Sequence, residues 1–247
     1  MNKSKLVFLD TETTGIGAGD RLCQVAYSFA GKEAEALFKP PVPIEIEAMS
    51  VTHITNKMVA DKETFSGSQF KSDLVAIFAE DNILVAHNAQ FDAEMLRREG
   101  VETKKSIDTL KIAQHLDADG DIPKYKLQYL RYYFDLDVAD ASAHDALGDV
   151  RVLERLFERY FQEMLLDLGS EEKVLQEMIE ISARPVLIKK FNFGKYIGEL
   201  VSEVAKKDAG YLTWLFNQKI MARENGLEND ENWIYTLDKY LNPNKLF

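Results

Sequence analysis

Apolar positions along the chain fall into short runs near the N-terminus and into helically spaced sets further on, and this change of period orders the elements. The runs at 5–9, 21–29 and 33–38, separated by turn-rich segments, predict successive strands in a meander. After the break Pro40-Pro41-Val42-Pro43, helical spacing of Phe70, Leu74, Ile77 and Phe78 predicts a helix over 68–80. The run 82–86 predicts a buried strand, 91–98 a helix and 106–108 a short strand. Segments 126–134 and 144–168 complete an alternation of strands and helices, the pattern of an α/β fold. Gly169 suits a C-terminal cap for the longest helix, and a further helix is predicted over 172–181. The expected organisation is a main domain over 1–168, a helical linker over 169–187 and a small C-terminal segment over 188–247. That segment opens on the aromatic and basic stretch Lys189-Lys190-Phe191-Asn192-Phe193-Gly194-Lys195-Tyr196.

Composition narrows the class. With 46% hydrophobic and 29% charged residues in 247, the chain is an ordinary globular protein. Cys23 is the single cysteine, which excludes an intrachain disulfide and a cysteine-based zinc site. The first apolar run reaches Asp10 at once, too short for a signal sequence or membrane span, so cytoplasmic residence and no membrane partner are expected. A net charge of −11 argues against a protein that coats nucleic acid through a basic face. It leaves room for a nuclease, because divalent cations can offset clustered carboxylates locally.

Three segments carry candidate chemistry. In Val7-Phe8-Leu9-Asp10-Thr11-Glu12-Thr13-Thr14-Gly15, two carboxylates two apart would share one side of a strand. A hard cation between them, or a solvated strand end, would each relieve their repulsion. Asp92 follows the predicted strand 82–86, where α/β folds bind ligands, and also suits the first turn of a helix, where a carboxylate stabilises the dipole. The stripe Ala146, Val150, Leu153, Phe157, Tyr160 and Phe161 places Asp149 at its edge, facing inward. On the same helix His144 would point away from the stripe, so a catalytic His144 must lie on the loop or first turn before it. His87 is read as structural.

Asp10-Thr11-Glu12-Thr13-Thr14-Gly15, His87-Asn88-Ala89-Gln90-Phe91-Asp92 and His144-Asp145-Ala146-Leu147-Gly148-Asp149 resemble, in order, the three motifs of the DEDDh exonucleases. The histidine five places before the last aspartate marks the h subgroup. The tail segments Phe193-Gly194-Lys195-Tyr196-Ile197-Gly198 and 208–217 are similar to the C-terminal segment of the exonuclease X branch of that family, as is the stretch 48–61.

The resemblance implies a ribonuclease H-like mixed sheet flanked by helices, with a small C-terminal extension. It implies a 3′–5′ exodeoxyribonuclease that releases nucleoside 5′-monophosphates, in DNA repair or proofreading, with two Mg2+ or Mn2+ ions per site. Asp10, Glu12 and Asp149 would hold the tighter ion with Asp10 bridging, Asp92 would hold the second, and His144 would be the general base. Thr13 and Glu47 correspond to positions near the terminal sugar. His53 is a candidate contact to the terminal nucleotide, although Thr52-His53-Ile54-Thr55 stands where many relatives have histidine-glycine-isoleucine-threonine. The expected partner is a DNA 3′ end, single-stranded or duplex, with RNA as the alternative and a homodimer left open. Two other classes compete: a catalytically silent nucleic-acid-binding relative, and a nucleotide-binding module on Gly15-Ile16-Gly17-Ala18-Gly19, which lacks the spacing of a dinucleotide or phosphate loop.

Overall fold

The computed structural model describes residues 3–138, 146–225 and 230–242. His144 therefore lies outside the described residues. The chain divides into two compact units, one comprising 1–110 and 126–182, the other 111–125 and 183–247.

The first unit is a five-stranded mixed sheet with helices on its faces. Strands β1 (Leu6–Thr13), β2 (Leu22–Phe29) and β3 (Lys32–Leu37) form the antiparallel meander expected from the apolar runs. The sheet continues with β4 (Ile83–Ala86) and β5 (Ser106–Asp108), both parallel to β1, in the order β3-β2-β1-β4-β5. Between β3 and β4 lie α1 (Ile46–Thr52), α2 (Asn56–Val59) and α3 (Gln69–Ala79). Helix α4 (Ala89–Arg98) links β4 to β5, and α5 (Thr109–Leu116), α6 (Leu127–Tyr133), α7 (Ala146–Leu168) and α8 (Glu171–Ala183) follow. The short helices α1, α2 and α5 go beyond the sequence expectation. Helix α7 stops where Gly169, at φ 67°, lets its N–H bond the carbonyl of Leu165 at 2.9 Å.

Strand β1 is central, and its period of two distributes side chains to both faces. Val7 and Leu9 join Leu74, Phe78, Met95 and Leu96 in a core beneath α3 and α4. Phe8 points the other way, meeting Phe157 of α7 edge-on at 5.2 Å. Helix α7 buries Val150, Leu153, Leu156, Phe157, Tyr160 and Phe161, and each large apolar side chain so removed from water contributes roughly 1.5–3 kcal/mol. The same alternation continues into Asp10, Thr11 and Glu12 and so aims the candidate chemistry.

In the second unit α9 (Val201–Lys207), α10 (Ala209–Glu224) and α11 (Glu231–Leu241) surround a core of Phe191, Val201, Val204, Leu212, Leu215, Trp233 and Leu237. Phe191 is 2% exposed and lies 5.0 Å from the ring of Trp233. Gly194 adopts φ +70°, and a Cβ there would come within 2.8 Å of the Tyr211 hydroxyl, so glycine is required both for the turn and for the close approach. Among the described residues no helix is long and apolar enough to cross a membrane.

Candidate active site

Asp10 and Glu12 leave β1 on the face covered by α7, opposite Ala26 and Gln24 of β2. Asp149, in the first turn of α7, is buried, as its place beside the apolar stripe predicted. One oxygen from each of Asp10, Glu12 and Asp149 lies within 4.8 Å of the others. Asp92 comes from the first turn of α4 and is 4% exposed. Thr11, pointing to the α4 face, donates its hydroxyl to the Asp92 carboxylate at 2.7 Å. Strand β1 thus serves the cluster from both faces: two carboxylates on one side, and a hydroxyl that orients a third carboxylate on the other.

The electrostatics are those of crowded anions. Burial, then the charges of Asp92, Glu12 and Asp149, hold the Asp10 carboxyl well above the usual carboxylate range. Burial pushes Asp92 up to about 7; the Thr11 hydroxyl bond opposes this, and the charge of Asp108 adds to it. Partly to fully buried carboxylates this close repel one another when ionised, a cation among them would relieve that repulsion, and an all-oxygen donor set suits a hard divalent ion. The residues present fit such a group.

Several supporting residues were not singled out by the sequence. Gln128 of α6 donates its amide N–H to the Asp149 carboxylate. Asp108, 3% exposed at the end of β5, accepts the backbone N–H of Asn88 at 2.9 Å and of Leu110 at 3.0 Å. It thereby holds the turn that leads into α4 and Asp92. Thr11 was in view only as the spacer between two acids, although the alternation of β1 already sends it to the opposite face. Asp108 had the same signal as Asp92, a carboxylate at the end of a strand. Gln128, distant in sequence from Asp149, had none.

The remaining candidates are placed as follows. Thr13 is buried, and its hydroxyl donates to the carbonyl of Gly15 at 2.7 Å. Glu47 is exposed in the first turn of α1, and the N–H of Glu45 ties that helix to the Thr14 carbonyl at 2.9 Å. His53 is exposed and caps α1 in the left-handed conformation at φ 58°. This is the position where the related pattern has glycine, so the one-residue displacement puts an imidazole on a turn that glycine fits without strain. Nδ1 of His87 lies 2.9 Å from the Thr109 hydroxyl, in keeping with a structural role. The glycines at 15, 17 and 19 do not form an anion cradle. Their loop wraps the Asp20 carboxylate, which accepts from Gly17 N and Thr14 Oγ1, both at 2.6 Å.

An acidic cluster at the centre of a mixed sheet, with one member on a covering helix, matches a known architecture. Residues 7–157 match the family model described as "Exonuclease", and residues 191–219 match "Exodeoxyribonuclease X-like C-terminal". The chain belongs to this exonuclease family, the DEDDh 3′–5′ exonucleases, and is a 3′–5′ exonuclease dependent on divalent metal. It is similar to exodeoxyribonuclease 10 of Escherichia coli (strain K12), 32% identical over 86% of this chain and 90% of that protein. It is also similar to the DNA polymerase III subunit epsilon of Treponema pallidum (strain Nichols), 36% identical over 60% of this chain and 72% of that one. Among solved structures, exonuclease X in complex with 5′-overhanging duplex DNA superposes with a TM-score of 0.54 at 28% identity, covering 72% of this chain and 99% of that one. E. coli exonuclease I in complex with a dT13 oligonucleotide shares the fold at a TM-score of 0.53 and 19% identity, covering 74% and 46%.

Proposed function

We propose that the protein is a 3′–5′ exodeoxyribonuclease that removes nucleoside 5′-monophosphates from DNA ends with two Mg2+ or Mn2+ ions, in DNA repair or proofreading. The observation that carries the reading is the convergence of Asp10, Glu12 and Asp149 within 4.8 Å beside a buried Asp92. Asp10, Glu12 and Asp149 would hold one ion, and Asp92 with a shared Asp10 the other. Bound there, the ions supply positive charge to the attacking water, the phosphate and the leaving 3′ oxygen.

The chain's own groups do the rest. Thr11 fixes the Asp92 carboxylate and Gln128 fixes that of Asp149, so neither must reorganise during the reaction. His144, assigned from its place five residues before Asp149, takes the proton of the attacking water, for which an unperturbed pKa near 6.5 is suited. The choice of DNA rests on similarity to exodeoxyribonuclease 10 and on the C-terminal match, while the carboxylates themselves are indifferent to the sugar.

Digestion of single-stranded DNA, duplex DNA and RNA of one sequence, each labelled at the 5′ end, tests the reading with Mg2+, with Mn2+ and with chelator. The expected result is stepwise shortening of DNA from its 3′ end, release of 5′-monophosphates and silence in chelator. Preferential shortening of RNA would overturn the choice of substrate, and activity in chelator would overturn the role of the cluster.

A further inference from the structure

Another pair of carboxylates stands two apart on a strand of the same unit. Glu33 and Glu35 lie on β3, the edge strand, opposite Ser28 and Ala26 of β2. Ala26 and Gln24 in turn face Asp10 and Glu12 of β1, so by the alternation of the sheet all these side chains share the face that α7 crosses. Helix α7 engages the second pair directly. Oε1 of Glu35 accepts the backbone N–H of Leu147 at 3.2 Å and the amide of Gln24 at 2.9 Å. Glu33 accepts the two prongs of the Arg151 guanidinium, Nε at 3.0 Å and Nη2 at 2.7 Å, and this fork holds its carboxyl below the usual carboxylate range.

These contacts bracket Asp149. Leu147 and Arg151 are four apart and therefore neighbours on one side of α7, while Asp149, between them in sequence, is buried. The Leu147 N–H is one of those at a helix start that have no acceptor within the helix, and a carboxylate placed there also complements the helix dipole. Gln24, 8% exposed and paired with Glu12 across the β1–β2 ladder, ties Glu35 to the part of the sheet that carries the cluster. The sheet that presents Asp10 and Glu12 thus grips, at two points, the helix that presents Asp149. Exposed ion pairs add little to stability. What these contacts supply is register, and a site of this kind needs its ligands held within about 0.5 Å.

We propose that Glu35, with Glu33 beside it, is a positioning residue for Asp149: strand β3 holds the first two turns of α7 so that the Asp149 carboxylate reaches Asp10 and Glu12. This deepens the proposed assignment of Asp149 as a metal ligand and rests on it.

Calorimetric titration of the full-length protein with Mn2+, in the absence of DNA, tests it in wild type, Glu35→Ala, Glu35→Gln, Asp149→Asn and the double variant Glu35→Ala with Asp149→Asn. Each is first melted in chelator and then titrated well below its melting temperature, so that a lost fold is not read as a lost ligand. Expected for Glu35→Ala is about a ten-fold loss of Mn2+ affinity, the size usual for residues that orient metal ligands. Glu35→Gln keeps most of the affinity, because both bonds go to one oxygen, which the amide carbonyl replaces. In the Asp149→Asn background, Glu35→Ala adds no further loss, as expected of a residue that acts through Asp149. Wild-type affinity in Glu35→Ala, or an equal further loss in the Asp149→Asn background, would overturn the inference and leave Asp149 a ligand. Wild-type affinity in Asp149→Asn would instead sink the ligand assignment, and this inference with it.

Discussion

Asp10 is held against ionisation by burial and by the charges of three neighbouring carboxylates. Replacing it with the isosteric amide removes the repulsion without opening a cavity. In Asp10→Asn, hydrolysis is expected to fall by about a thousand-fold or more, several kcal/mol of transition-state stabilisation. The melting temperature in chelator is expected to rise. Enzyme assay and thermal unfolding check the two halves independently. Thr11 makes the opposite case, a favourable contact to a charged group. Thr11→Val keeps volume and β-branching but leaves Asp92 without its hydroxyl donor. A hydrogen bond to a charged group is worth about 1.5–3 kcal/mol, so a drop of about ten-fold in kcat is expected, together with a higher metal requirement. An unchanged kcat would show that Asp92 is oriented without Thr11.

Elements decide which of these residues meet. In β1 the period of two was legible, and it delivers Asp10 and Glu12 to α7 and Thr11 to α4. The helical stripe of α7 was legible too, and with it the inward turn of Asp149. Less visible were elements whose burial has no clean period. Helix α10 carries apolar residues around its circumference, Leu212 and Leu215 inside and Trp214 and Met221 outside, so no stripe marks it. In the aromatic and basic stretch before it, Phe191 is core, Lys190 pairs with Asp121 at 2.6 Å and Lys195 with Asp208 at 2.9 Å. What that stretch builds is a turn. Gly194→Ala places a Cβ in the left-handed region, at a cost of about 1–2 kcal/mol, and crowds the Tyr211 hydroxyl at 2.8 Å. The second unit should lose stability by at least that amount in hydrogen exchange, while turnover of a trinucleotide stays unchanged. Loss of turnover would mean that the turn serves the catalytic site.

At the scale of the whole molecule, the cluster couples stability to pH and metal. An unfolded aspartate titrates near about 3.9, whereas folded Asp92 is raised to about 7 and Asp10 well above its ordinary value. Between roughly pH 4 and 7 the folded protein therefore binds more protons at this site than the unfolded chain, and the cluster's contribution to stability is lost as pH rises. Surface carboxylates pull the other way: Arg97 and Arg98 hold Glu94 down to about 2, and Tyr196 with Lys195 does the same for Asp208. The informative quantity is therefore the difference in melting temperature between wild type and Asp10→Asn. In chelator that difference should move against wild type from pH 4 to 7. Mn2+ binds the ionised cluster and competes with protons, so its stabilisation of wild type should grow over the same interval, with about 2.7 kcal/mol expected at a hundred-fold excess over its dissociation constant. Asp10→Asn should show little of this gain. Parallel curves for the two proteins in chelator, or equal stabilisation of both by Mn2+, would mean that the carboxylates do not share one cation-dependent charge balance.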